Sequence, residues 1–125
     1  MEVNMARVLI VDDSRTSRKF LRDILEHSGN EVAGEAVNGK EGFEMYQKLK
    51  PDIVTMDITM PEMDGIESLK LIMRYDPSAR IIMVTAAGQQ QKMVEAVKYG
   101  ALEFMSKPFD TIKIVETIQK VMQPK

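Results

Sequence analysis

A chain of 125 residues, 44% hydrophobic and 29% charged, is long enough to bury one well-developed core and has an ordinary globular composition. Its net charge of −2 gives no basic footprint for nucleic acid or anionic lipid. The absence of cysteine excludes disulfides, thiol chemistry and zinc-finger sites, and the one histidine, His27, excludes a multi-histidine metal centre.

In chain order, the opening MEVNMARV is too short and polar for a signal peptide, and no apolar run approaches the ~18 residues of a membrane span. A cytoplasmic location is the expectation. Ala6–Val11 reads as a first strand, and Phe20, Leu21, Ile24 and Leu25 mark the apolar stripe of a first helix that stops near Gly29. Glu31–Ala36 is a second strand. Asn38 followed by Glu41 starts a helix striped by Phe43, Tyr46 and Leu49 and ended before Pro51. Asp52–Met56 is a third strand, and Asp64 with Glu67 caps a helix striped by Ile66, Leu69, Ile72 and Met73. Arg80–Val84 is a fourth strand, followed by a helix marked by Met93, Ala96 and Val97 that stops at Gly100. Leu102–Met105 is the fifth, followed by a helix marked by Val115, Ile118 and Met122. VLIV, IVTM and IIMV are near-continuous β-branched runs, as expected of strands covered on both faces. Strand and helix alternating in this way predict an α/β fold with a parallel sheet between two helical layers, in a single domain over residues 1–125. No repeat, linker or low-complexity tract interrupts it.

In such a sheet ligands bind beyond the carboxyl ends of the strands. The first strand ends in Asp12-Asp13, the third in Asp57, the fourth in Thr85 and the fifth in Lys107-Pro108; Glu35-Ala36, ending the second, receives no role. Three carboxylates on one edge repel and call for a cation. Hard oxygen donors suit Mg²⁺, with Lys107 offsetting part of the remaining charge. A carboxylate can also attack phosphorus, and phosphoryl transfer asks mostly for positioning and charge neutralisation. The paired Asp12 and Asp13 suit the metal; lone Asp57, on the central strand, suits attack. Taken singly, Asp13-Ser14 reads as a helix N-cap, Asp57 as an Asx turn and Lys107-Pro108 as a turn. Their joint placement on four strand ends outweighs those local readings. Asp64 goes the other way and reads as a cap.

The segments VLIVDDS, DIVTMDITMPEMDG, IIMVTAAG and FMSKPF resemble the response-regulator receiver domain, most closely its stand-alone CheY-like chemotaxis members, along essentially the whole chain. The resemblance implies a flavodoxin-like (βα)5 fold with strand order 2-1-3-4-5. It makes Asp57 the phosphoacceptor, and Asp13, Asp57 and the Thr59 backbone carbonyl the Mg²⁺ ligands, with Asp12 acting through water. Thr85 and Lys107 would hold phosphoryl oxygens, the Lys107-Pro108 bond would be cis, and Thr85 and Phe104 would shift as a switch. The donor would be a phosphohistidine on a CheA-like sensor histidine kinase. The surface of the fourth helix, fifth strand and fifth helix would then bind a target such as a flagellar motor switch protein, with a phosphatase as a further partner. Phe104 stands where Tyr is common in chemotaxis members, and Ala87 offers no polar group to orient a water.

Other functions on this fold are a phosphorelay intermediate, an aspartyl-phosphate phosphatase and a flavin- or nucleotide-binding module. A phosphatase would carry an acid two residues after its nucleophile, where this chain has Thr59. A nucleotide module would show a glycine-rich phosphate loop after the first strand, and none is present. With no effector segment after the last helix, output is expected through protein contact. Lys92, Tyr99 and Lys113 are candidates for that interface, and Gln89–Lys92 for a solvated helix start. His27 is expected at a helix end in solvent or against the helix dipole. The eleven methionines read mostly as core filler, with Met60 and Met63 as exposed exceptions beside the site.

Overall fold

The computed structural model describes residues 5–124; residues 1–4 of the N-terminal stretch and Lys125 lie outside the described residues. Five strands, β1 (Arg7–Val11), β2 (Glu31–Ala36), β3 (Ile53–Asp57), β4 (Ile81–Thr85) and β5 (Glu103–Ser106), alternate with five helices. These are α1 (Arg15–His27), α2 (Gly39–Leu49), α3 (Gly65–Tyr75), α4 (Gln90–Lys98) and α5 (Thr111–Met122). All neighbouring strands pair in parallel, in the order β2-β1-β3-β4-β5, which is the expected flavodoxin-like topology. Three strands run one residue later than their apolar runs suggest. Asp57 and Thr85 are therefore the last residues of β3 and β4 rather than the first of loops.

Alternate side chains of each strand enter two cores. Leu9, Val11, Val54, Met56, Ile81 and Met83 pack against Tyr46, Ile66, Leu69, Ile72 and Ala96 on one face. Val8, Ile10, Ile53, Ile82 and Val84 pack against Leu21, Leu25, Ile114, Ile118 and Val121 on the other. Coverage of both faces explains why β4 is buried along its whole length, and each of its apolar side chains contributes roughly 1.5–3 kcal/mol of transfer free energy. The caps fall where expected: Asn38 Oδ1 accepts from Glu41 N at 2.8 Å and Asp64 Oδ1 from Glu67 N at 2.9 Å, while Ser14, rather than Asp13, caps α1.

Some helix faces differ from the stripes. In α5 the inward residues are Ile114, Ile118 and Val121, with Val115 and Met122 only half-buried. The apolar residues cover more than one face there, and the sheet selects the one spaced four and three apart. In α4 only Ala96 is buried, while Val97 is 59% and Val94 73% exposed, because this short helix packs on β4 and α3 along a narrow seam. Phe20, read as core, is 45% exposed and stacks on Phe109 with ring centroids 6.0 Å apart. Met60, expected in solvent, is buried and belongs to the α2–α3 side of the core; Met63 is half-buried.

The loop from β3 to α3 is tied down. Asn38 Nδ2 donates to Glu62 Oε2 at 2.8 Å, and the Gly39 N–H donates to the Met63 carbonyl at 2.8 Å. The buried Ser68 hydroxyl adds a bond to the Gly39 carbonyl at 2.7 Å. Folding Met60 inward and fastening the loop to α2 places Thr59 beside the carboxyl end of β3.

Candidate functional site

Asp12, Asp13 and Asp57 offer carboxylate oxygens that all lie within 4.8 Å of one another. Their backgrounds differ. Asp12 is buried and held at every point: its N–H donates to the Ala36 carbonyl at 3.0 Å and its carbonyl accepts from Arg18 Nη1 at 2.8 Å. Its Oδ1 accepts from Ser14 N at 2.8 Å, and its Oδ2 pairs with Lys107 Nζ at 2.9 Å. Asp13 is exposed, and among the described residues no hydrogen bond engages its carboxylate. Asp57 closes the central strand and is half-buried; its Oδ1 accepts from Ile58 N at 3.0 Å and its Oδ2 lies 3.6 Å from Lys107 Nζ.

Electrostatics follows from this packing. Burial pushes the Asp57 carboxyl up to about 6, and the charge of Asp12 pushes the same way; Lys107 opposes them, Asp13 adds to the rise, and the Ile58 N–H opposes it. Burial works against the Lys107 charge, but its bond to Asp12 and the fields of Asp57, Asp12 and Asp13 outweigh that and hold its pKa above the usual lysine value. Among the described residues, one ammonium therefore faces three carboxylates. The Asp13 oxygens, which no hydrogen bond engages among the described residues, and the lone pairs that Asp57 keeps beyond its bond from Ile58 N are hard donors in a partly open site, and a divalent cation with retained waters fits that donor set.

Gly65 sets how closely the loop returns to Asp57. Its N–H donates to the Ile58 carbonyl at 2.7 Å, and a Cβ on Gly65 would collide with the Asp57 carbonyl oxygen. Thr85, buried, directs its hydroxyl to the Met105 carbonyl at 3.5 Å, and the Lys107 N–H donates to the Thr85 carbonyl at 2.8 Å. These contacts register the last residue of β4 against the turn that carries Lys107. The Lys107-Pro108 bond is cis. Phe104, half-buried, packs against the α2–α3–α4 core, on the opposite face of β5 from Met105. Thus Asp12, Asp13, Asp57 and Lys107 form one cluster, with Thr59 and Thr85 in the segments bordering Asp57, while Phe104 stands apart.

Other singled-out residues take local roles. His27 is exposed, and its Nδ1 donates to the Asp23 carbonyl at 2.7 Å within α1. Tyr99 has the Lys70 ammonium 4.5 Å from its ring centroid, a cation–π contact; Lys92 and Lys113 are exposed.

Two features of the site's surround escaped the sequence reading. Glu35 accepts from Arg18 Nε at 2.9 Å and from Arg22 Nε at 2.8 Å, joining β2 to α1. Because Arg18 also holds the Asp12 carbonyl, this ion pair steadies the β1–α1 loop. Two arginines four apart opposite an acid in an apolar strand were the available signal. Gln89 links the loops after β3 and β4, and nothing in its sequence neighbourhood marks it.

Residues 8–119 match the response regulator receiver domain family. The chain is 56% identical over 115 residues to the chemotaxis protein CheY of Thermotoga maritima, covering 92% of this chain and 96% of that one. It is 49% identical over 116 residues to the chemotaxis protein CheY of Listeria monocytogenes, covering 93% and 98%. Among solved structures, CheY in the CheX-CheY-BeF3-Mg complex of Borrelia burgdorferi superposes with a TM-score of 0.90 at 39% identity, covering 94% of this chain and 90% of that one. No helix of the described residues is long and apolar enough to cross a membrane. The chain belongs to the response regulator receiver domain family, and within it is CheY-like, a signalling domain of two-component type.

Proposed function

We propose that this chain works as one receiver unit that accepts a phosphoryl group on Asp57 from a phosphohistidine of a CheA-like sensor histidine kinase. An Asp57 oxygen forms the new bond to phosphorus, the phosphorus–nitrogen bond breaks, and the imidazole leaves with its electron pair. Bound Mg²⁺ would neutralise charge on the acids and the incoming phosphoryl oxygens. Asp13, Asp57 and the Thr59 carbonyl would hold it, with Asp12 engaged through water. Lys107 and Thr85 would take phosphoryl oxygens, and the pull on Thr85 would reach the α4–β5–α5 surface, where Phe104 lies, to change its fit to a partner. A flagellar motor switch protein is the target we favour, with a phosphatase resetting the domain in a cytoplasmic pathway.

The observation that carries this reading is the lopsided charge of the site: among the described residues, three carboxylates within 4.8 Å stand against one ammonium, with the pKa of Asp57 raised by burial and by the charge of Asp12. Such a site gains from a cation, and with a cation bound Asp57 is an ionised nucleophile beside two groups suited to phosphoryl oxygens. The CheY relatives and the beryllofluoride–magnesium complex of the Borrelia protein support it. A phosphatase is disfavoured, because Thr59 brings a hydroxyl engaged by Gln89 where a general acid would be needed. Incubation with a small acyl phosphate should label the wild-type protein only when Mg²⁺ is present. Equal labelling of Asp57→Ala would reject the assignment.

A further inference from the structure

Gln89 stands at the N-cap position of α4, yet its side chain makes no capping bond to that helix. The carboxamide turns the other way. Its Oε1 accepts from the Ala86 backbone N–H at 2.6 Å, and its Nε2 donates to Thr59 Oγ1 at 3.0 Å. Gly88, at φ +86, permits the turn that brings position 89 back over position 86; a side chain at 88 would be strained there. Ala86 directly follows Thr85, and Thr59 is two residues past Asp57. One amide group therefore spans the gap between the two loops that flank the acceptor carboxylate, and it occupies a main-chain donor next to the site.

A phosphoryl group on Asp57 would bring roughly −1.5 to −2 charges and three strong acceptor oxygens. A charged oxygen is about twice as strong an acceptor as a neutral carboxamide oxygen. The donors bordering Asp57 then favour the phosphoryl group over Gln89. We propose that Gln89 is a positioning residue that latches the resting protein: it holds the Ala86 N–H and the Thr59 hydroxyl together, and phosphorylation of Asp57 proceeds by opening this latch. The proposal rests on the Asp57 reading above. A latch that is closed only in the resting state subtracts from the affinity of the site for a phosphoryl group or its mimic, in proportion to how strongly it favours that state.

The test compares wild type, Gln89→Ala and Thr59→Val by amide-resolved NMR, titrating beryllofluoride at saturating Mg²⁺. Without beryllofluoride, the Ala86 amide proton should exchange about fivefold faster in Gln89→Ala, as expected for loss of a hydrogen bond of ordinary net strength. Half-saturation should then fall about three- to tenfold in Gln89→Ala and in the same direction in Thr59→Val. The double variant should show little further gain, because both changes open one bridge. Unchanged or weaker beryllofluoride binding by a folded Gln89→Ala protein would overturn the latch, making Gln89 a brace kept in both states. Should that variant not fold, unchanged or weaker binding by Thr59→Val would overturn it equally. A wild-type protein with no saturable response overturns the Asp57 reading itself, a separate and recognisable failure.

Discussion

The Lys107 ammonium is bonded to Asp12 at 2.9 Å and stands 3.6 Å from Asp57. Among the described residues Lys107 is the cation paired with these carboxylates, and it is committed first to the acid that is most buried, so the central-strand carboxylate receives the weaker share. That division leaves Asp57 short of positive charge.

Lys107→Met should therefore destabilise the magnesium-free protein by about 2 kcal/mol at pH 7.5, since it strands a buried carboxylate among like charges while Lys107 itself remains a quarter exposed. Lowering the pH through 6, which neutralises Asp57, or adding Mg²⁺ should recover part of the loss by relieving the repulsion. Urea melts in the two buffers and with the metal check this, and a loss independent of both would mean that packing of the lysine stem is what matters.

Asp57 gives a pH dependence of opposite sign to an ordinary ion-paired carboxylate. Its folded pKa of about 6 lies above the ordinary aspartate value of 3.8, so between these values the folded state binds more protons than the unfolded one. Stability from this group is complete below about pH 4 and falls as pH rises through 6, by on the order of 2–3 kcal/mol. Asp57→Asn should accordingly be more stable than wild type at pH 7.5 without metal and nearly equal to it at pH 4. Parallel denaturant titrations of the two proteins cancel the contributions of acids remote from the site.

Glu35 behaves the other way. Burial raises its pKa, but the bonds from Arg22 and Arg18 overcome that and leave it lowered. A lowered folded pKa gives stability that is present above the unfolded pKa and lost as the pH falls through the folded one. Glu35→Gln should cost about 1 kcal/mol at pH 7 and close to nothing at pH 3. It should also weaken Mg²⁺ binding, because Arg18 then holds the Asp12 carbonyl less firmly. Calorimetric titration with Mg²⁺ reads the second effect apart from the first.

Gly65→Ala forces a methyl against the Asp57 carbonyl, and the clash is with backbone, which cannot rotate away. The expected cost is about 2 kcal/mol or more in chemical denaturation, with displaced amide resonances at Asp57 and Ile58. A neutral result would show that α3 can slide outward without disturbing β3.

What the sequence by itself determined is the alternation of β-branched runs with helical stripes, the caps at Asn38 and Asp64, and the strand ends on which Asp12, Asp13, Asp57, Thr85 and Lys107 stand. Those features are local: residue type and spacing alone decide them, because a parallel sheet exposes its carboxyl edge whatever the packing around it. The receiver resemblance added the strand order, which the sheet reproduces. Tertiary structure alone decided which face of α5 turns inward, that Met60 enters the core while Phe20 and Val97 do not, that Lys107 pairs with Asp12, and that Glu35 and Gln89 matter. Each of these depends on which distant segment a side chain meets. A polar or apolar residue whose partner lies far along the chain shows no sign of it until the sheet brings them together.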